Sequence, residues 1–301
     1  KVDDINFKFF HINKWDNGEF KGDAISTTSE LVKISSDGNL GLEEGQKFER
    51  GGIYRFTVDV TKGNTKAVLT VEKVGKVDLP APDIFFGNDK MEVTDTDIYK
   101  SDQAFTQGQM ITVTGIDNLN EWWIDPDFFE KQSDGALKFL PINGDYRVTA
   151  NAVLKYFSVM ALKDGKPAKL QDDGTGAIWA IGKGIGKPSV ASSEVGWEPG
   201  KALCLAQVAP KKYQLTLKAG ETLKTSGDWE AISFKFFYQN DWGDEFKNYA
   251  SNTLVEQLKL TDSGNLEMQD NKAFEEGAVY RFTIDVTNGN ANADLKVEKI
   301  N

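Results

Sequence analysis

The chain has 301 residues, 40% of them hydrophobic, which is enough to bury the cores of two or three domains. Its formal net charge is -11 and its longest basic run is the Lys211-Lys212 pair, which argues against nucleic acid or an anionic membrane as partner. No apolar run approaches the roughly 18 residues of a membrane span. The single cysteine, Cys204, excludes an intrachain disulfide and is expected to be a buried apolar residue.

The first predicted domain, residues 1–78, shows the two-residue period of half-buried strands. Apolar and polar residues alternate over 54–60, a turn follows at 61–64, and the alternation resumes over 67–72. This pattern predicts a β-hairpin. Ile5, Phe7 and Phe9 alternate with polar residues and predict a further strand.

A linker with Pro80 and Pro82 opens the middle domain, residues 79–174, where strands are predicted at 110–114, 122–124, 146–150 and 156–159. The third domain, residues 175–301, begins with an apolar strand at 177–181 and continues through strands at 203–208 and 213–217. Helical periodicity is absent throughout. The predicted fold is therefore all-β, with three tandem immunoglobulin-like β-sandwich domains.

Residues 232–300 repeat residues 5–74 with one single-residue gap. Ile5-Asn6-Phe7-Lys8-Phe9-Phe10 returns as Ile232-Ser233-Phe234-Lys235-Phe236-Phe237, and Trp15 returns as Trp242. About 55 residues precede the repeat within the last domain, but only four precede it in the first. We therefore expect the natural protein to extend beyond Lys1 by the front half of a module, since the apolar face of the first copy would otherwise stay uncovered.

Motifs for catalysis or metal binding are weak. Residues 182–188, GKGIGKP, lack the spacing of a phosphate-binding loop, because Ile181 and Pro188 stand where a glycine and a hydroxyl residue are needed. Asp125, Asp127 and Glu130, beside Trp122 and Trp123, could form a glycosidase carboxylate pair, but Asp125-Pro126-Asp127 is more simply a turn.

The single histidine, His11, makes a Ser-His-Asp triad or a multi-histidine metal site improbable. Asp262-Ser263-Gly264-Asn265 lacks the remaining ligands of a calcium loop and predicts a tight turn. We expect no catalytic residues, no metal and no cofactor.

Aromatic and polar residues in predicted loops are the remaining candidates. Loop tryptophans beside amide side chains suit a sugar, whose C–H faces stack on a ring while its hydroxyls form hydrogen bonds at the rim. The predicted ligand-binding residues are Trp197, Trp242, Tyr238, Asn240 and Trp229. The alternative, that some of these rings close the ends of a sandwich core, stays open for Trp242.

The order of motifs from Ile178-Trp179-Ala180 through Gly196-Trp197 to Phe234-Lys235-Phe236 and Trp242 resembles the carbohydrate-binding modules of SusE/SusF-type surface lipoproteins of Bacteroidetes. The resemblance covers residues 177–301, and residues 5–74 for the back half alone. It implies non-catalytic binding of polysaccharide or oligosaccharide on the outer cell surface. It also implies an export signal, a lipid anchor in the outer membrane, and other glycan-uptake components as partners.

Three hypotheses follow. The first is a glycan-binding surface protein with its principal site in the last domain. The second is a structural or adhesive cell-envelope protein whose aromatic residues are core and whose partner is another protein. The third is a glycosidase that uses the acids of the middle domain.

Overall fold

The computed structural model describes residues 5–14, 18–49, 51–77, 81–226 and 231–301. The chain is nearly all β, with 45% of its residues in strands and 5% in helices, which confirms the predicted fold class. It divides into two compact units, Lys1–Ala81 and Pro82–Asn301. The predicted middle and last domains both belong to the second unit, in which their buried apolar residues form one continuous core.

The described residues of the first unit form five strands. They are Ile25–Thr27 (β1), Val32–Ile34 (β2), Leu40–Leu42 (β3), Gly52–Asp59 (β4) and Ala67–Lys76 (β5). β4 and β5 form the predicted antiparallel hairpin, β1 pairs with β5 in parallel, and β2 pairs with β3. The strand predicted near Phe7 is reduced to an isolated bridge between Phe7 and Leu40.

The middle domain packs a five-stranded sheet, β16-β15-β14-β9-β8, against two small sheets, β10-β13-β12 and β11-β6-β7. The strands are Phe85–Phe86 (β6), Asp89–Lys90 (β7), Glu92–Asp95 (β8), Ile98–Phe105 (β9), Met110–Ile111 (β10), Val113–Thr114 (β11), Phe129–Lys131 (β12), Leu137–Phe139 (β13), Gly144–Asn151 (β14), Tyr156–Lys163 (β15) and Lys166–Pro167 (β16). Aromatic rings join the layers: Phe86 meets Phe157 edge-on with centroids 5.2 Å apart.

The prediction of a strand at 122–124 is wrong. Leu119–Glu121 forms a 3-10 turn, and Trp122 follows it with its backbone N–H donating to the Leu119 carbonyl. Trp122 stacks on Phe157 with centroids 4.7 Å apart and is buried. The aromatic run therefore fills the core from a turn, because burial of the ring outweighs local strand preference.

The last domain is a sandwich of two sheets, β18-β17-β22-β25-β24, with β19 also paired to β17, and β20-β21-β26-β27-β23. The strands are Trp179–Gly186 (β17), Glu194–Gly196 (β18), Leu203–Cys204 (β19), Ala206–Ala209 (β20), Lys212–Lys218 (β21), Ser233–Phe237 (β22), Ser251–Thr253 (β23), Leu258–Leu260 (β24), Leu266–Met268 (β25), Val279–Asp285 (β26) and Asp294–Lys299 (β27). Its short helices are Val190–Ser193 (α1) and the 3-10 turns Pro199–Lys201 and Asn290–Asn292. Phe234 and Phe236 of one sheet contact Phe282 of the other, with centroids 5.5 and 6.4 Å apart.

The sequence repeat is also a structural repeat. In the second copy β23 pairs with β27 in parallel, as β1 does with β5, and Phe234 pairs with Leu266, as Phe7 does with Leu40. The two copies differ in their neighbouring strands, because in the second copy β21 pairs with β26 and β17 pairs with β22. Phe234 is fully buried, whereas its counterpart Phe7 is 38% exposed.

The glycine-rich stretch that lacks the spacing of a phosphate-binding loop belongs to a strand. Gly182, Gly184 and Gly186 lie within β17, in the middle of the sheet and buried for most of its length. Gly182 has φ 143°, and a Cβ there would lie 2.3 Å from the Phe234 Cα. The glycines allow a close approach of neighbouring backbone, which explains their presence without a phosphate ligand.

Candidate functional site

Strand order brings Trp197 and Trp242 together. β17 lies between β18 and β22 and is antiparallel to both, so those two strands run in the same direction. The chain therefore leaves the carboxyl ends of β18 and β22 at the same end of the sheet. Trp197 follows Gly196, the last residue of β18, and Trp242 lies in the loop that follows β22.

The two indole rings form an offset stack. Their centroids lie 6.2 Å apart and their planes differ by 24°, within the range of favourable aromatic pairs. The ring of Phe237 supports Trp242 edge-on, with centroids 6.0 Å apart. Trp242 is 50% exposed, whereas Trp197 is partly buried and packs against the core, so Trp242 supplies most of the aromatic surface that the pair presents to solvent.

Hydrogen bonds fix the loop that carries Trp242. The Tyr238 N–H donates to the Asp244 carbonyl over 2.6 Å, and Gln239 Nε2 donates to the Trp242 carbonyl over 2.6 Å. Lys169 Nζ, from the middle domain, donates in turn to Gln239 Oε1 over 2.6 Å. No sequence pattern identifies Lys169 or Gln239, because their partnership depends on how the two domains meet.

Tyr238 and Asn240 do not join the tryptophan pair. Tyr238 lines a separate polar pocket of about 570 Å³, and its ring meets Phe246 edge-on at 4.4 Å. Burial, and then the nearby Asp244 carboxylate, raise the pKa of Tyr238, which keeps its hydroxyl protonated. Asn240 Oδ1 is buried and accepts no hydrogen bond from a described residue. Trp229 lies outside the described residues.

Asp125 and Asp127, the acids considered for a glycosidase, bind a lysine side chain of the last domain. Lys187 Nζ donates to both oxygens of Asp125, over 2.9 and 2.7 Å, and to Asp127 Oδ2 over 3.2 Å. Asp127 also accepts from the backbone N–H and the hydroxyl of Thr216, each over 2.6 Å. The exposed fractions are 7% for Lys187, 5% for Asp125 and 1% for Asp127. This buried cluster joins the middle domain to the last one.

Burial and charge act in opposite directions on this cluster. Burial raises the pKa of Asp125. Burial opposes ionisation of Asp127 as well, but Lys187 and the donors from Thr216 and Gln214 hold the pKa of Asp127 below its usual value. The two carboxylates raise the pKa of Lys187 in spite of its burial. Asp127 and Lys187 are therefore held charged.

The other residues singled out in the sequence lie outside the tryptophan pair and the buried ion cluster. Glu130 is exposed and pairs with Lys138 over 3.2 Å, and the His11 ring meets Phe20 edge-on at 5.3 Å. At 262–265 the chain makes the predicted tight turn, with the Gly264 N–H donating to the Thr261 carbonyl over 2.9 Å. Burial raises the pKa of the Cys204 thiol to about 12.

Metal-ligand clusters and membrane-spanning helices are both absent from the described part of the chain. No three or more His, Cys, Asp or Glu side chains among them are grouped as metal ligands. None of the helices in the described ranges has the length and apolarity needed to cross a bilayer.

Comparison with known proteins gives family matches and no function. A search of the curated proteins finds no match. A family model described as a domain of unknown function (DUF5125) matches residues 77–170, which correspond to the middle domain. A second, described as a domain of unknown function (DUF5121), matches residues 1–61 and 173–287, the segments that contain the repeat. Because this second match covers more than half of the chain, the protein belongs to the DUF5121 family.

Proposed function

We propose that this protein binds polysaccharide or oligosaccharide without chemical turnover, and that Trp197 and Trp242 form the principal site. The observation that carries the proposal is the near-parallel pair of indole rings at one end of the last sandwich, in which Trp242 is half exposed and is backed by Trp197. Large aromatic side chains are costly to leave in contact with water, so a solvent-facing pair held in place is typical of a binding surface.

The chemistry of the pair suits a sugar. A pyranose ring presents C–H groups that stack on an aromatic face, while its hydroxyls need polar partners around the rim. Gln239, Lys169 and Asp241 lie in or against the loop that carries Trp242 and supply such groups. The hydrogen bonds that fix the loop also reduce the entropy lost when a ligand binds.

The setting that we propose follows the resemblance to SusE/SusF-type lipoproteins. The protein would act on the bacterial outer surface as a lipid-anchored component of a glycan-uptake system. The buried ion cluster supports a binding role over hydrolysis, because Asp125 and Asp127 are committed to Lys187 and Thr216. A glycosidase needs one carboxyl group as acid and another as base or nucleophile beside the scissile bond.

The decisive experiment is a glycan array followed by retention on insoluble polysaccharide, with release of reducing ends measured in parallel. We expect retention of the parent protein without release. A double variant, Trp197→Ala with Trp242→Ala, should lose retention and keep its fold, while Met110→Ala, a change at another exposed apolar side chain, should be retained like the parent. Retention by the folded double variant would contradict the site assignment, and reducing ends released by the parent would favour the glycosidase.

A second candidate function has its own supporting observation. Phe7 and Phe10 of the first unit are 38% and 36% exposed, although their counterparts Phe234 and Phe237 are buried. An exposed apolar face of this kind is typical of contacts with another polypeptide. A structural or adhesive role in the cell envelope is therefore the alternative, and cross-linking to an envelope protein without retention on any glycan would favour it.

A further inference from the structure

The pocket beside the tryptophan loop is built from both domains of the second unit. Its walls include Lys169, Asp172, Tyr238, Asp244, Asn290 and Asn292. Its volume of about 570 Å³ falls within the range of small-molecule sites. Residues 238–244 link the two features, because Tyr238 and Asp244 line the pocket and Trp242 of the same loop belongs to the aromatic pair.

Hydrogen bonds across the domain junction hold the pocket open in one shape. The Leu170 N–H donates to the Tyr238 carbonyl over 2.7 Å, and Asn290 Nδ2 donates to the Gln171 carbonyl over 3.0 Å. Together with the bond from Lys169 to Gln239, these contacts tie the pocket wall to the loop that carries Trp242. The pocket is therefore pre-organised before a ligand arrives.

One wall residue of this pocket, Asn290, is held by its own side chain. Asn290 Oδ1 is inaccessible to solvent and accepts no hydrogen bond from any residue that the structure describes. The orientation of the amide is fixed, because its Nδ2 is the atom that donates to Gln171. Because Oδ1 is inaccessible, Asn290 shapes the wall, and the exposed acceptors that a ligand can reach are those of Asp172, Asp244 and Asn292.

The charges that line the pocket restrict the ligand further. The carboxylates of Asp172 and Asp244, which form no salt bridge within the described ranges, and the ammonium of Lys169 give the lining one net negative charge. The tyrosine hydroxyl stays neutral, because burial and Asp244 raise the pKa of Tyr238. Carboxylate or sulfate groups would meet like charge here, whereas neutral hydroxyl groups would find acceptors.

We infer that this inter-domain pocket is a second subsite, which takes an uncharged, hydroxyl-bearing sugar unit of the same glycan chain that stacks on Trp197 and Trp242. This inference rests on the proposed function. It extends the site from the last domain onto the middle domain, so that one chain contacts both. It also makes neutral glycans the ligand class and disfavours uronate-containing or sulfated ones.

The test is calorimetric titration of the full chain with a panel of soluble neutral oligosaccharides and with uronate oligosaccharides of matched length. We expect neutral ligands to bind at least about tenfold more tightly, since two lining carboxylates repel an acid. Asn290→Ala should weaken neutral binding about fivefold, because it removes the wall side chain that donates to the Gln171 carbonyl across the domain junction. Asn288→Ala, in the same turn but outside the pocket lining, is the matched control and should bind like the parent.

Two further variants, with one control, test the pocket independently of Asn290→Ala. Tyr238→Phe removes the hydroxyl that donates to the Asn290 carbonyl over 3.4 Å and keeps the ring against Phe246. It should weaken binding of neutral ligands, and it tests the pocket if Asn290→Ala fails to fold. Asp172→Asn should reduce the ratio of neutral to uronate affinity, while Asp262→Asn, which does not line the pocket, should leave that ratio unchanged.

The outcomes separate the two proposals. If Tyr238→Phe and Asp172→Asn behave like the parent while Trp242→Ala loses binding, the pocket inference is wrong and the proposed function stands. Tighter binding of uronates than of neutral ligands would also overturn the inference. If the parent binds no glycan at all, the proposed function itself fails.

Discussion

Replacing Lys187 with Met should destabilise the second unit strongly. The change removes the only ammonium that contacts Asp125 and Asp127 within the described structure, and it leaves two carboxylates that are at most 5% exposed. Breaking a buried pair by removing one partner costs about 3–5 kcal/mol, because the remaining charge is left uncompensated. We expect a loss of that size in the free energy of unfolding at pH 7.

The loss should depend on pH with a defined sign. Without Lys187, repulsion and burial raise the folded pKa of one carboxyl group above its unfolded value of about 3.8. An acid with a raised folded pKa stabilises the fold when protonated, and this contribution disappears as pH rises through that pKa. Lys187→Met should therefore lose less stability at pH 5 than at pH 8.

Urea denaturation followed by tryptophan fluorescence measures the effect, since Trp122 and Trp179 are buried in this unit. Lys272→Met removes an exposed pair with Glu256 and should change stability by less than about 1 kcal/mol. Adding Asp125→Asn to Lys187→Met should restore part of the loss, because one buried charge disappears. A loss below about 1 kcal/mol without pH dependence would refute the assignment of a buried ion cluster.

Three further predictions concern the sandwich cores. Gly182→Ala should lower the free energy of unfolding by more than about 2 kcal/mol, because its Cβ would lie 2.3 Å from a backbone carbon. Gly200→Ala, which has open space around it, should be nearly neutral in thermal unfolding, and equal melting temperatures of the two variants would contradict the close approach. Phe234→Ala should cost about 3–5 kcal/mol and Phe7→Ala less than half of that, because the first ring is fully buried and the second is 38% exposed; equal losses would contradict the difference in burial. Burial raises the pKa of the Cys204 thiol to about 12, so a thiol reagent at pH 8 should label it only as the unit unfolds, and rapid labelling of the folded protein would show an accessible thiol.

Local pattern predicted much of the fold. The residues that alternate over 54–60 and 67–72 form β4 and β5, because two-residue periodicity is typical of a half-buried strand. The repeat in sequence is matched by the same strand pairing in the second copy. The pattern failed at 122–124, and the strand predicted at 177–181 in fact continues to Gly186. Trp122 fills the core from a turn, and the glycines occupy a buried strand, because tertiary contacts decide both cases.

The candidate site was only partly accessible to sequence reasoning. Residue type identified Trp197 and Trp242, but their proximity depends on β17 lying between β18 and β22, which no local pattern shows. Tyr238 was predicted on the same grounds and lies in the neighbouring pocket. The partnership of Asp125 and Asp127 with Lys187 spans 60 residues or more, so their burial could not be read from composition or spacing.

The affinity of Trp242→Ala for a glycan that the parent protein binds tests the central claim most directly. A stacked ring contributes about 1–3 kcal/mol if sugar stacking resembles base stacking, so the dissociation constant should rise about 5- to 150-fold. Trp242→Phe keeps an aromatic face and should recover part of the affinity, and both variants should keep the parent's melting temperature because the ring is half exposed. An unchanged dissociation constant in the folded Trp242→Ala variant would contradict the account.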